Sequence, residues 1–314
     1  MESIPVCDPH FHLWDLDIRP NPNFGDPSAH PLPSYIAGDY LNDLSQLPEP
    51  LKLVSSVHVE TVVGQKPGGA RIDEVEETRF VIDQMQRTGH PTGIVGFVHL
   101  AHSTDETASV LDAHAEAANG RFRGVRMILN HHHGNTDLTW PQVEHDRFLQ
   151  DTVFAESIAL LGDRGLSFDL QCNPHQLLDA ARTFSRYPNT PVILDHLGSF
   201  HDEEDDAYED MWREGMRALA DLAHTHVKLS MLYFGCNGYH EDPDKEAKVC
   251  DLVLETVETF GVDRCMFATN YPVDRMQGID IPTLYGQYYK WTSHLSSDAQ
   301  RALFHDTASR VYRM

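Results

Sequence analysis

The chain has 314 residues, Lys+Arg 24 against Asp+Glu 48, a formal net charge of −24 and a hydrophobic fraction of 41%. So acidic a surface repels phosphate backbones and anionic bilayers, which excludes nucleic acid and membrane as expected partners and leaves small molecules. No apolar run approaches the ~18 residues of a membrane helix, Met1-Glu2-Ser3-Ile4-Pro5 has no signal-peptide pattern, and the five cysteines show no C-x-x-C spacing; a soluble cytoplasmic protein with reduced thiols is expected.

In chain order, short apolar, β-rich runs alternate with longer amphipathic ones. Strands are expected at 4–8, 53–60, 94–100, 124–129, 166–171, 191–195, 226–231 and 265–269. Most are near-continuously apolar, as parallel strands buried on both faces are. Helices are expected at 72–87, 104–118, 150–164, 174–186, 207–224 and 244–260, then near 284–294 and 297–312, the last opening on a Ser297/Gln300 capping box. The stretch 19–50, rich in Pro, Asn, Asp and Ser, reads as a long loop near the barrel mouth. Asp202-Glu203-Glu204-Asp205-Asp206 and His131-His132-His133 each read as a cation site or as a solvated loop. Cys7, Cys172 and Cys265 fall in apolar strands and read as small buried hydrophobes.

Eight strands, nearly all separated by helices, predict one (β/α)8 TIM barrel domain over 1–314. A doubly wound sheet is the rival, but no G-x-G-x-x-G follows a strand and no P-loop occurs.

In a barrel of this kind the working residues gather where strands end and βα loops begin. The first strand ends in Asp8-Pro9-His10-Phe11-His12-Leu13-Trp14-Asp15, and residues two apart on an extended segment face the same way, so His10 and His12 can converge on one ligand. The second strand ends in His58-Val59-Glu60 and the third at His99. The fourth carries Arg126, read either as a clamp for an anionic oxygen or as the partner of a structural carboxylate. The fifth ends at Gln171 with His175 just beyond, the sixth at His196, and the eighth runs into Asn270 and Asp274. His10, His12, His175, His196, Glu60 and Arg126 are therefore expected around one mouth.

These segments resemble the amidohydrolase-related family, and within it the branch of 2-pyrone-4,6-dicarboxylate lactonase, fuconolactonase and other sugar lactonases. The resemblance runs nearly the whole chain and rests on the first-strand segment above, Gly124-Val125-Arg126, Phe168-Asp169-Leu170-Gln171 with Pro174-His175-Gln176, Asp195-His196-Leu197-Gly198, Val227-Lys228-Leu229-Ser230 and Asn270-Tyr271-Pro272-Val273. It implies a distorted barrel in which His10, His12 and His196 polarise a lactone carbonyl, in many members with no metal. His175 matches a family histidine past the fifth strand. The lactonases carry an Asp as general base at the end of strand eight, where this chain has Asn270. An amide takes no proton at neutral pH. Three explanations follow: a native subgroup in which Asp274 or a histidine moves the proton, an engineered Asp→Asn change, or a chain that is no longer a hydrolase.

The leading expectation is a hydrolase that opens a lactone or related cyclic ester of a small substrate, with any anionic substituent held by Arg126 and contacts from Glu60, Gln171 and His175. No cofactor is required in that version. In the other version His10, His12 and His196 hold one Zn²⁺ or Mn²⁺. The alternatives are a metal-dependent decarboxylase of a small aromatic acid and a catalytically retired binding barrel. A homo-oligomer is compatible with the sequence.

Overall fold

The computed structural model describes residues 3–21, 24–61, 74–201 and 206–314. Eight parallel strands lie side by side in chain order: β1 (Ile4–Phe11), β2 (Leu51–Val59), β3 (Gly93–Phe97), β4 (Phe122–Ile128), β5 (Ser167–Gln171), β6 (Val192–Leu194), β7 (Thr225–Leu229) and β8 (Cys265–Phe267). A helix follows each: α1 (Ala37–Leu44), α2 (Glu76–Thr88), α3 (Thr104–Ala117), α4 (Thr152–Asp163), α5 (Leu177–Phe184), α6 (Asp206–Ala220), α7 (Pro243–Phe260) and α8 (Ile281–Trp291). This is the (β/α)8 barrel, and every expected strand is present within a few residues of its expected bounds.

The distortion lies at the seam. β1 and β8 form no ladder, and the ring closes only above the strand ends, where Asn270 N–H donates to His10 O (2.8 Å) and His12 N–H to Tyr271 O (2.7 Å). A C-terminal run, α9 (Ser297–Arg301), a π-helical turn Ala302–Asp306 and α10 (Thr307–Val311), packs along the seam against both strands.

Side-chain alternation sorts each strand into two faces. Val125, Met127, Phe168, Leu170, Val227, Leu229 and Phe267 point outward into the main core beneath the helices. The inward positions of the lower barrel are apolar: Cys7, Val57, Val59, Val95, Ile193 and Met266 form a separate core, plugged from below by Ala308, Val311 and Tyr312. One turn higher the inward positions become polar and remain buried, with Arg126, Asp169, Asp195 and Lys228 on four successive strands. The active-site layer is built on that floor.

Three expectations about elements change. The stretch 19–50 is not all loop: it holds a 3₁₀ turn (Pro27–Ala29), a short strand (Ser34–Tyr35) that pairs antiparallel with Trp14–Asp15 before it, and α1. Gly38, Asp39, Asn42 and Asp43 are weak helix formers, so propensity hides α1, and burial of Ala37, Tyr40 and Leu44 forms it. The last helix is broken by the π-turn, and its first segment is capped by Ser296, whose Oγ accepts from Ala299 N–H (3.2 Å); Gln300 instead donates to Thr292 O (3.1 Å). Helix 72–87 starts at Glu76, with residues 72–73 outside the described residues, as are 202–205 of the acidic run. Among the described residues no helix is long and apolar enough to cross a membrane.

Candidate active site

The C-terminal ends of the strands line a cavity whose empty space, open solvent included, is about 450 Å³. Its polar wall is His12, Arg126, Gln171, His196 and Asn270, and its apolar wall includes Trp14, Phe24, Trp140, Met231 and Val273. His196 (φ 56°), Met231 (φ 54°) and Asn270 (φ 54°), at the ends of β6, β7 and β8, are all left-handed. Such backbone costs about 1–3 kcal/mol per non-glycine residue and persists where the surroundings enforce it, commonly at functional sites. Here the sharp turn swings each side chain over the barrel axis. His and Asn tolerate it better than most residues.

Hydrogen bonds fix the tautomers of the first-strand pair. A carbonyl can only accept, so His12 Nδ1 carries a proton for Val59 O (2.8 Å) and its Nε2 keeps a lone pair. An ammonium can only donate, so His10 Nδ1 accepts from Lys228 Nζ (3.1 Å), which leaves the His10 proton on Nε2. The two Nε2 atoms are 3.2 Å apart, and with Nδ1 taken by the shorter Lys228 contact His10 N–H donates to His12, which leaves the longer approach of an Arg126 Nη to His10 Nε2 (3.5 Å) without an acceptor. His10 therefore lies beneath the cavity floor rather than on the wall where it was expected. His196 packs over His10 with ring centroids 4.5 Å apart, and its Nδ1 is 3.0 Å from Ser230 Oγ. Burial above all holds the imidazoles of His10, His12 and His196 well below their ordinary pKa, followed by the charge of Lys228 at His10, the charge of Arg126 at His12 and the neighbouring His10 at His196. All three are neutral at pH 7.

The two readings of Arg126 are both present. Its Nε donates to Glu60 Oε1 (2.7 Å), one Nη to Glu60 O (2.5 Å) and the other to Gln171 Oε1 (3.1 Å). Glu60 is thus the structural carboxylate that fixes Arg126 and is off the cavity wall, while the guanidinium and Gln171 remain on it. His58 clamps the layer behind, accepting from Leu13 N–H (3.2 Å) and donating to Glu77 Oε1 (3.0 Å).

Asp274 also stands behind a wall residue. Asn270 Nδ2 donates to Asp274 Oδ1 (2.8 Å), and burial raises the Asp274 carboxyl well above the usual carboxylate range. Fully buried and off the wall, it orients Asn270 and is not placed to take a proton from the cavity. The amide's own oxygen is left for His12, whose protonated form Asn270 favours.

His175 is not at this mouth. It is exposed, bonds His131 O through Nε2 (3.0 Å) and lines a separate surface pocket with His132, His133 and Asp146. His133 pairs with Asp146, so the histidine triplet is a rim feature. His99 stacks on His102 with centroids 3.6 Å apart, also off the cavity wall. Cys7, Cys172 and Cys265 are buried as expected, and burial pushes the Cys7 thiol up to about 12.

Sequence reasoning missed the buried ion group beneath His10. Lys228 Nζ is 2.5 Å from Asp169 Oδ2 and 3.0 Å from Asp195 Oδ1, with Tyr312 OH donating to Asp169 Oδ2 (2.8 Å). The available signal was a lysine between Val227 and Leu229, in register with inward positions of an apolar strand.

Fold and site together define a (β/α)8 barrel with a polar pocket at its strand ends, and residues 7–314 match the family described as Amidohydrolase; the chain belongs to that family. It is 30% identical over 324 residues to the uncharacterized protein y4mH of Sinorhizobium fredii, covering 100% of both chains. An L-fucono-1,5-lactonase of Burkholderia ambifaria is 26% identical over 305 residues, covering 97% of this chain and 91% of that one. A solved amidohydrolase structure from Burkholderia multivorans with bound zinc superposes with TM-score 0.77 at 22% identity, covering 98% of this chain and 99% of that one.

Among the described residues one group of three metal-type donors converges, His10, Asp195 and His196, with donor atoms within 4.8 Å of one another. Asp195 thus replaces His12 in the expected set. Two of these donors already face a fixed cation. Lys228 Nζ is 3.1 Å from His10 Nδ1 and 3.0 Å from Asp195 Oδ1, and an Arg126 Nη lies 3.5 Å from His10 Nε2. Two like unit charges 4 Å apart repel by about 4 kcal/mol at an effective dielectric of 20, and a divalent ion doubles that. With Lys228 in place, the donor set does not fit a divalent cation.

Proposed function

We propose that this amidohydrolase-family enzyme opens a lactone or related cyclic ester of a small substrate without a metal. The observation that carries the reading is the pair of neutral imidazoles on one cavity wall, His12 with its Nε2 lone pair and His196, beside a neutralised guanidinium. Arg126 and His196 donate to the carbonyl oxygen as it gains charge. Each donor aimed at a developing oxyanion is worth about 10²–10³ in rate. The attacking water replaces His10 as the donor to His12 Nε2, and His12 takes its proton as the water oxygen bonds to the carbonyl carbon. Asn270 Oδ1 then accepts from the His12 imidazolium, which gives the proton to the ring oxygen as the C–O bond breaks, leaving a hydroxy acid. Asp274 does its work through Asn270. Because Glu60 already neutralises Arg126, the substrate need not bring an anionic group to satisfy it.

The fuconolactonase relatives support this reading over decarboxylation, as does a lysine where the metal of a metal-dependent decarboxylase would need its donors. A panel of sugar and pyrone lactones, followed by acid release in metal-free buffer, tests it. Ring opening that is lost in His12→Ala is expected. Release of CO₂ from aromatic acids, or tight ligand binding with no turnover across the panel, overturns it.

A further inference from the structure

Lys228 is fully buried in the barrel; its ammonium donates to Asp169 Oδ2 at 2.5 Å and His10 Nδ1 at 3.1 Å, and forms an ion pair with Asp195 Oδ1 at 3.0 Å. A buried ammonium must be paired on every side, and here the pairing set includes two of the three convergent metal-type donors. We propose that Lys228 is the resident cation of this barrel, holding the donors a metal ion would need and fixing the histidine tautomers from below. The chain of donors runs one way. Lys228 donates a hydrogen bond to His10 Nδ1, His10 therefore holds its own proton at Nε2 and donates a hydrogen bond to His12 Nε2, and His12 Nδ1–H donates to Val59 O. Reverse any one link and an N–H meets an N–H; in the order given the one such meeting is the longest contact, an Arg126 Nη 3.5 Å from His10 Nε2. Without the ammonium, His10 is free to carry its proton on Nδ1, 3.4 Å from Asp195 Oδ1, and the order of the pair is lost. Lys228 is thus a positioning residue that touches no substrate. Only its effect on turnover rests on the lactone-opening reading; the cation and tautomer assignments do not.

Two measurements need no substrate. Long-range ¹H–¹⁵N correlation of the histidine rings in the wild-type protein, with His10 assigned by its absence in His10→Gln, is expected to show His10 protonated at Nε2 and bare at Nδ1. A proton on Nδ1 overturns the proposal. Zinc uptake is then measured by elemental analysis after dialysis, in a His132→Ala/His133→Ala/His175→Ala background so that the rim contributes nothing. The background protein with Lys228 intact is expected to stay below about 0.1 zinc per chain, and adding Lys228→Met is expected to raise this to about one. Stoichiometric zinc with Lys228 present, or none gained on its removal, overturns the proposal. If Lys228→Met does not fold, Lys228→Met/Asp169→Asn removes the unpaired carboxylate while keeping His10, Asp195 and His196 for the same assay. Should lactones prove not to be substrates, both readouts still stand or fall by themselves.

Discussion

His10, His12 and His196 are buried at the centre of the barrel mouth, whereas His131, His132, His133 and His175 stand at its edge, half-buried or exposed. At the centre the ring nitrogens of the first-strand pair have assigned partners, and burial above all keeps all three rings neutral. At the edge His131 and His132 each have a buried Nδ1 with no hydrogen bond, and His133 pairs with exposed-side Asp146. The same side chain is a directional donor or acceptor in one place and a solvent-facing surface group in the other. What separates them is the second layer: among the described residues the buried Lys228, Arg126 and Ser230 have no counterpart at the rim, where the carbonyl partner is His131 O, bonded to an exposed His175.

That contrast can be broken by substitution. The largest effect is expected for His12→Ala, a loss of about 10³ in kcat in ring-opening assays, since proton transfer and its orientation go together. A rate within tenfold of wild type would remove His12 from the chemistry. His196→Ala should cost about 10² in kcat through loss of one oxyanion donor. Asn270→Ala should cost about tenfold by releasing the water and His12 from their positions, with little change in KM; a KM effect alone would make Asn270 a binding group only.

A pH series sharpens the comparison further. The central imidazoles have folded pKa values below their unfolded value, so the unfolded chain binds more protons once the pH drops beneath ~6.5. Their stabilisation is complete above that value and declines as pH falls through it toward the folded values, by about 1.4 kcal/mol per pH unit per histidine. Asp8 and Asp169, raised to about 6 chiefly by burial, act in the opposite sense below that pH, so the readout is a difference. Urea midpoints at pH 7.5 and 5.5 should fall less in His196→Gln than in wild type. Equal falls would mean that His196 titrates normally in the folded protein. The smallest effect belongs to the rim: His132→Ala/His175→Ala should leave kcat within twofold and stability within about 0.5 kcal/mol, as surface changes usually do. A larger loss of kcat would bring the rim into the site.

The chain of amino acids by itself determined the barrel and its order of strands, because eight runs apolar on both faces can be buried only under helices, and the pattern that does so is local. His10, His12 and His196 were legible for the same reason, each lying at the end of such a run. The short α1 was not, since only packing of Tyr40 and Leu44 makes Ala37–Leu44 helical. Tertiary structure alone decided that His175 faces the rim, that Asp274 stands behind Asn270, that Glu60 neutralises Arg126, and that Lys228 sits under His10 from a position 218 residues away. Strand alternation says that a side chain points inward. Which inward side chains meet, and at what height along the axis, depends on the stagger of strands around the ring and the tilt of each strand end. Those are set by contacts between residues far apart in the chain.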